Sequence, residues 1–233
     1  MSNKWTPLLP APSIRRAGEM QSALKDQECQ VDPDTPLYFM YRNLAWDDTD
    51  QAHLAAQHVR FDMTIIPPGV FCGEYVKTKG HYHPNAPDGA GYPELYQVLE
   101  GEAHYLLQKE DLSDVVVVHA KAGESVFIPP GYGHVTINPG SDELVMVNLV
   151  SDAFASKYET FEERHGAAYY ECEGSVWEKN PAYGPLPELR FFEAAELPYQ
   201  TIVQGEEIYD LISNETVMGW LNTPADCPNP FTP

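Results

Sequence analysis

The chain is poor in positive charge: 14 lysines and arginines stand against 35 aspartates and glutamates, a net charge of −21. A surface of that sign repels a phosphate backbone, and no basic stripe interrupts it, so no nucleic-acid partner is expected. Long hydrophobic runs are missing too. No stretch approaches the roughly 18 uninterrupted apolar residues of a membrane helix, so no membrane association is expected either. Cysteine is scarce, and Cys29, Cys72, Cys172 and Cys227 include no C-x-x-C pair, which removes the common zinc and redox motifs. All four are expected as reduced thiols, most of them buried. The opening MSNKWTPLLPAPSIRRAGEM lacks the basic-then-apolar order of a secretion leader, which makes the cytoplasm the expected compartment. No internal repeat occurs at solenoid periods.

What the chain has in quantity is short β-type runs. From residue 36 onward PLYFMYRN, HVRFDMTII, GEYVKT, ELYQVLEG, EAHYLLQ, DVVVVHA, SVFI, HVTIN and ELVMVNLVS are rich in Val, Ile, Tyr and Phe. Turn chemistry separates them: PPG at 67–69 and 129–131, Gly123, and NPG at 138–140. Strands about ten residues apart with no helices between them predict an antiparallel sandwich or small barrel rather than βαβ units. The fold class is therefore all-β. Residues 14–26 carry the spacing of a short amphipathic helix, and 1–35 read as an N-terminal arm. The barrel spans 36–160. A helix is expected over 152–166, capped by Asp152, with Phe154, Tyr158 and Phe161 on one face. Residues 161–233 form a C-terminal extension, with one helix-like stretch (GEEIYDLISNETVMGWL) before an extended end.

One stretch carries chemistry. In GHYH, His81 and His83 lie two apart, so on a strand both point to the same face. Glu94 opens the strand ELYQVLEG just after the turn-rich loop PNAPDGAGYP, and His134 opens HVTIN after the PPGYG turn. Three imidazoles and a carboxylate make a nitrogen and oxygen donor set that suits a divalent transition metal with two positions left open. An H-x-H pair alone is more often a pair of exposed strand histidines; the combination with Glu94 and His134 favours the metal. His104 and His119 read as ordinary strand histidines, and Lys77 and Lys79 as exposed strand lysines.

GHYHPNAPDGAGYPELYQVLEGEAHYLLQ resembles the first cupin motif and PPGYGHVTIN the second. More narrowly, TIIPPGVFCGEYVKTKGHYH followed by ELYQVLEG and PPGYGHVTIN is similar to the cupin-type phosphoglucose isomerases over residues 64–138. The resemblance implies a cupin jelly-roll β-barrel (double-stranded β-helix) with an N-terminal helical arm and a C-terminal helix and extended tail. It also implies a phosphorylated sugar as substrate, a homodimer, and one divalent metal held by His81, His83, Glu94 and His134. Fe(II) is favoured, with Mn, Ni, Co or Zn as alternatives. Glu94 and Tyr96 are implied as catalytic residues, Thr64, Thr78 and Gly80 as phosphate contacts, and Tyr92 and Tyr96 as contacts to the sugar.

The sequence departs from that pattern past the second motif, where Val150 and Ser156 stand at positions that carry a tyrosine and a histidine in the family. Aldose–ketose interconversion moves hydrogen between C1 and C2, either through an enediolate formed by a base, for which Glu94 is the candidate, or by direct hydride transfer. Rival readings are another metal cupin, a dioxygenase or a decarboxylase, and a non-catalytic sugar-binding cupin.

Overall fold

The structure is a computed structural model that describes Trp5, residues 9–198 and residues 207–231. Its strands, in chain order, are β1 Ser13–Arg16, β2 Pro36–Tyr41, β3 Val59–Ile66, β4 Val70–Phe71, β5 Glu74–Tyr75, β6 Glu94–Glu100, β7 Glu102–Lys109, β8 Val115–Lys121, β9 Ser125–Ile128, β10 Tyr132–Ile137, β11 Leu144–Ser151, β12 Tyr169–Cys172, β13 Val176–Lys179 and β14 Arg190–Glu193. Among the described residues four α-helices accompany them: α1 Ala17–Met20, α2 Asp48–Ala56, α3 Glu159–Glu163 and α4 Glu215–Asn222.

Two sheets form the barrel. One runs β1-β2-β3-β11-β6-β9 and the other β10-β7-β8-β14, while β13-β12-β5-β4 make a smaller third sheet. Alternation with period two sorts each strand's side chains. Glu94, Tyr96 and Val98 of β6 share the inner face with Met146, Asn148 and Val150 of β11, because these residues pair across the register. From the opposing sheet Tyr105 closes the interior, its ring 5.2 Å from that of Tyr96. This is the jelly-roll arrangement expected of a cupin.

Both outer faces are covered as well. Phe61 points out of β3 into a cluster with Trp5 and Tyr209, at ring distances of 5.0 and 4.9 Å. Behind β7, β8 and β10, Leu106, Val115, Val117, Val135 and Ile137 pack with Tyr82, Phe161, Ala167 and Tyr169. The VVVV run of 115–118 is thereby buried on both faces, which is why it is apolar throughout instead of alternating. Phe61 and Phe161 are fully buried and contribute about 2 kcal/mol each.

The departures from the sequence reading are local. The helix expected over 14–26 begins only at Ala17; before it β1 pairs with β2, Ile14 opposite Phe39, so edge hydrogen bonds to the sheet outweigh the helical spacing. The helix expected from Asp152 shrinks to α3. Lys157 exchanges backbone hydrogen bonds of 2.9 and 2.8 Å with Tyr82, and this holds residue 157 extended. Helix α2 was not anticipated, although Asp47 caps it by accepting from the N–H groups of Thr49 and Asp50. The helix-like stretch 205–221 begins outside the described residues and then splits into a 3-10 turn, Ile208–Ser213, and α4.

Lys77 is not an exposed strand lysine: it is buried and ion-paired with Glu74. The cysteine expectation is also corrected, because Cys29 and Cys72 form a disulfide while Cys172 and Cys227 remain thiols. Such bridges are uncommon in reducing compartments. This one ties the segment after α1 to the β4–β5 hairpin across a separation of 43 residues. A loop of that length corresponds to about 4 kcal/mol of chain entropy. Chemical denaturation with and without reductant is expected to show a loss approaching that size, and the Cys29→Ser, Cys72→Ser double variant should no longer respond to reductant.

Candidate metal centre

The segment that carries His81 and His83 runs extended beside β10. His81 and His134 form a bridge, their backbone N–H and C=O groups exchanging bonds of 3.2 and 3.0 Å. Extended backbone sends His81 and His83 to the inner side and Tyr82 to the outer one, where its hydroxyl accepts from the Gln108 amide at 2.8 Å. Two glycines make the close approach possible. Gly80 has φ +80°, and a Cβ there would lie 2.6 Å from Val135 Cγ2 and 2.7 Å from the Phe161 ring. A Cβ on Gly133 would strike the Tyr82 ring at 2.6 Å.

The fold brings His81, His83, Glu94 and His134 together: one ligand atom from each lies within 4.8 Å of all the others. Nε2 of His81 and Nε2 of His83 are 3.1 Å apart. Glu94 Oε2 lies 3.4 Å from His83 Nε2 and 3.3 Å from His134 Nε2. Neighbouring groups aim these atoms. His83 Nδ1 sits 2.8 Å from the Tyr92 carbonyl, which accepts its hydrogen and so leaves Nε2 with a lone pair toward the cluster. Asn148 donates its amide to Glu94 Oε1 at 2.7 Å, turning Oε2 inward.

The electrostatics of the group fit a shared cation. Burial, followed by the rings of His134 and His83, pushes His81 well below its ordinary 6.5. His134 is lowered as well, chiefly by burial. Burial also works to raise the pKa of Glu94, yet the facing His134 and His83 outweigh it and hold the carboxyl well below its ordinary 4.5. Imidazoles that resist protonation cannot by themselves neutralise an ionised carboxylate in a buried place. Glu94 Oε2 accordingly has no hydrogen-bond partner in this arrangement. A divalent ion satisfies all four groups at once, and the donor set could hold one.

Of the other predicted residues, Tyr92 and Tyr96 adjoin this group. The Tyr96 hydroxyl is 3.1 Å from His134 Nε2. Burial and then Glu94 raise its pKa well above 10, so it keeps its proton. Tyr92 stacks on Phe154 at 4.8 Å, and Phe154 lies 4.5 Å from the His83 ring, which covers the cluster from the loop after β11. Thr64 is buried in β3 opposite Met146. The Thr78 hydroxyl accepts from the N–H of Thr136 at 2.9 Å, and Val150 pairs in register with Glu94. His104 and His119 lie away from the cluster, bonded to Glu171 (2.8 Å) and to Glu102 and Glu193 (3.1 Å each). Sequence reasoning missed Asn148. Its inward parity on β11 was readable, but the pairing that sets it beside Glu94 was not.

A jelly-roll barrel with three inward histidines and one glutamate on its inner face defines the protein as a cupin with a group of side chains that could hold a metal ion. The sequence profile of the glucose-6-phosphate isomerase (GPI) family matches residues 15–188, and the chain belongs to that family. A glucose-6-phosphate isomerase from Thermococcus litoralis is 26% identical over 155 residues, 65% of this chain and 76% of its own. One from Pyrococcus abyssi is 31% identical over 106 residues, covering 46% and 53%. Among solved structures, a variant oxalate decarboxylase from Bacillus subtilis aligns with 52% of this chain and 27% of its own at 20% identity and a TM-score of 0.39, too low to inform the assignment.

Proposed function

We propose that the protein interconverts glucose 6-phosphate and fructose 6-phosphate, with one divalent ion, Fe(II) foremost, held by His81, His83, Glu94 and His134. What supports this reading most is Glu94 Oε2, a buried carboxylate oxygen without a partner among three imidazoles, in a chain of the isomerase family. The family match does not favour the dioxygenase, decarboxylase and non-catalytic alternatives.

When bound, the cation supplies Lewis-acid polarisation of the sugar's C1 and C2 oxygens. The chain's own residues do the rest. His83, with its Nδ1 hydrogen held by the Tyr92 carbonyl, keeps Nε2 available, and Glu94 is oriented through Asn148. Tyr96 holds a proton at its hydroxyl and serves as a hydrogen-bond donor to a sugar oxygen, not as a base. Tyr92 is the second sugar contact; its ring and that of Phe154 exclude water above His83. Thr64, Thr78 and the backbone of Gly80 are the phosphate contacts in this reading. Thr78 already accepts one bond and so retains its O–H to donate to an anion.

Glu94 has one oxygen engaged by Asn148 and the other directed at the proposed ion, and its pKa is held low. Both features make it a poor base, which favours direct transfer of hydrogen between C2 and C1. One experiment tests activity and route together: turnover of fructose 6-phosphate in deuterium oxide, with and without a chelator. Glucose 6-phosphate with little deuterium at C2 is expected, and formation of it should stop with chelator. Full labelling would restore Glu94 as base; turnover indifferent to exhaustive chelation would remove the metal from the reading.

A further inference from the structure

The inner face next to the histidine and glutamate cluster carries a charge imbalance that the proposed mechanism does not use. Asp62 of β3 is fully buried, yet it receives two guanidinium groups: Arg42 Nη1 at 2.6 Å and Arg60 Nε at 2.8 Å. The N–H of Asn43 adds a third donor at 3.0 Å. With Glu94 given to the proposed ion, two positive charges on the single carboxylate of Asp62 leave one in excess. Two other cations near the cluster are balanced one to one, Arg15 by Glu19 at 3.1 Å and Lys79 by Glu162 at 2.5 Å. An uncompensated cation matters in a chain of net charge −21, whose long-range field opposes the approach of a dianionic phosphate.

The excess charge is accessible and correctly placed. The Arg42 side chain keeps 41% of its exposure; Asp62 holds Nη1 and the Met40 sulfur accepts from Nη2 at 3.3 Å, a weak acceptor that a phosphate oxygen can displace. The register locates it. Asn148, which holds Glu94, pairs directly with Asp62, and Asp62 holds Arg42. Glu94 and Asp62 are thus separated by the width of β11, two strand spacings or roughly 10 Å. That span matches a hexose phosphate laid with C1 and C2 at the cluster and its phosphate at the far end. Thr64 lies two residues beyond Asp62 on the same face, and Met40, two residues before Arg42, pairs with it. Burial opposes the charge on Arg42, but Asp62 chiefly, with Tyr96 and Glu94 adding, raises its pKa above the ordinary guanidinium value. The guanidinium therefore senses both the cluster and Asp62.

We propose that Arg42, braced by Asp62 and Arg60, is the cation that receives the phosphate of the sugar substrate, acting on the same wall of the barrel as Thr64. This rests on the sugar-phosphate reading above and names the charged contact that reading lacks. Arg60 and Asp62 position Arg42 and do not touch the ligand. Charge-assisted bonds from an arginine fork are stronger than those of hydroxyls and backbone N–H groups, so Arg42 supplies the larger share of phosphate affinity.

The test is calorimetric titration of the metal-loaded protein with sorbitol 6-phosphate, which cannot be isomerised, and with sorbitol. Arg42→Gln is expected to weaken sorbitol 6-phosphate at least tenfold, to flatten the salt dependence of its binding, and to leave sorbitol affinity, metal content and melting temperature near wild type. The fold should persist because Asp62 keeps Arg60 and the Asn43 N–H. Arg42→Lys, which retains the charge, should recover much of the affinity and its salt dependence. Wild-type affinity in Arg42→Gln, or an equal loss for sorbitol, overturns the assignment of Arg42 while leaving the isomerase reading intact. Wild-type protein that neither binds sorbitol 6-phosphate nor turns over fructose 6-phosphate overturns both. If Arg42→Gln does not fold, Arg42→Lys decides: affinity that no longer depends on salt counts against the proposal.

Discussion

Alanine at His83 or His134 is expected to empty the metal centre and abolish isomerisation. Each residue contributes one of four groups whose ligand atoms lie within 4.8 Å of one another, and neither has a neighbour able to replace it in that set among the described residues. Removing an imidazole leaves only three groups in the set, which hold an ion poorly. A bound cation stabilises the developing charge on the sugar by several kcal/mol. At about 1.4 kcal/mol per tenfold, the loss in rate is at least about 10³-fold. Elemental analysis of protein purified without chelators should find close to one divalent transition ion per chain in wild type, iron foremost, and close to none in either variant. Circular dichroism should be unchanged, because the jelly roll is packed through its own apolar faces. Variants that retain both ion and activity would sink the assignment.

Among single substitutions, a large loss of stability is expected from Gly80→Ala. Two costs add there. A non-glycine residue at φ +80° costs about 1 kcal/mol or more. The new Cβ would also overlap Val135 Cγ2 and the Phe161 ring, both buried, and overpacking of that kind costs typically 1–3 kcal/mol. A total of about 3 kcal/mol should lower the melting temperature by roughly 10 °C in a chain of this size. Gly89→Ala separates the two costs, since Gly89 has φ +91° but open space where its Cβ would go; it should lose about 1 kcal/mol. Because Gly80 directly precedes His81, the displaced backbone is also expected to weaken the metal centre. Thermal melts followed with and without added metal would show this as a smaller stabilisation by the ion in Gly80→Ala.

Most of the barrel was readable because alternation and turn residues act locally. PLYFMY, VRFDMTII, ELYQVLE and LVMVNLVS became strands close to their predicted bounds. Elements whose state depends on a distant partner were not readable. β1 is a strand only because β2 offers it an edge, and residues 152–158 stay out of a helix because Tyr82 pairs with Lys157. Lys77 is buried because Glu74 meets it, and Cys29 and Cys72 are joined because the fold brings them together.

The sequence by itself determined which side chains were available to bind a metal and on which face of its strand each one lay. A two-residue spacing in extended backbone admits one outcome for His81 and His83, and residue parity does the same for Glu94 and Tyr96. Only the tertiary structure decided which strands are neighbours. Register across β6, β11 and β3 sets Asn148 against Glu94 and Asp62 under Arg42. Strand order arises from burying two whole sheets against each other, a sum over the entire chain that no short window of residues contains.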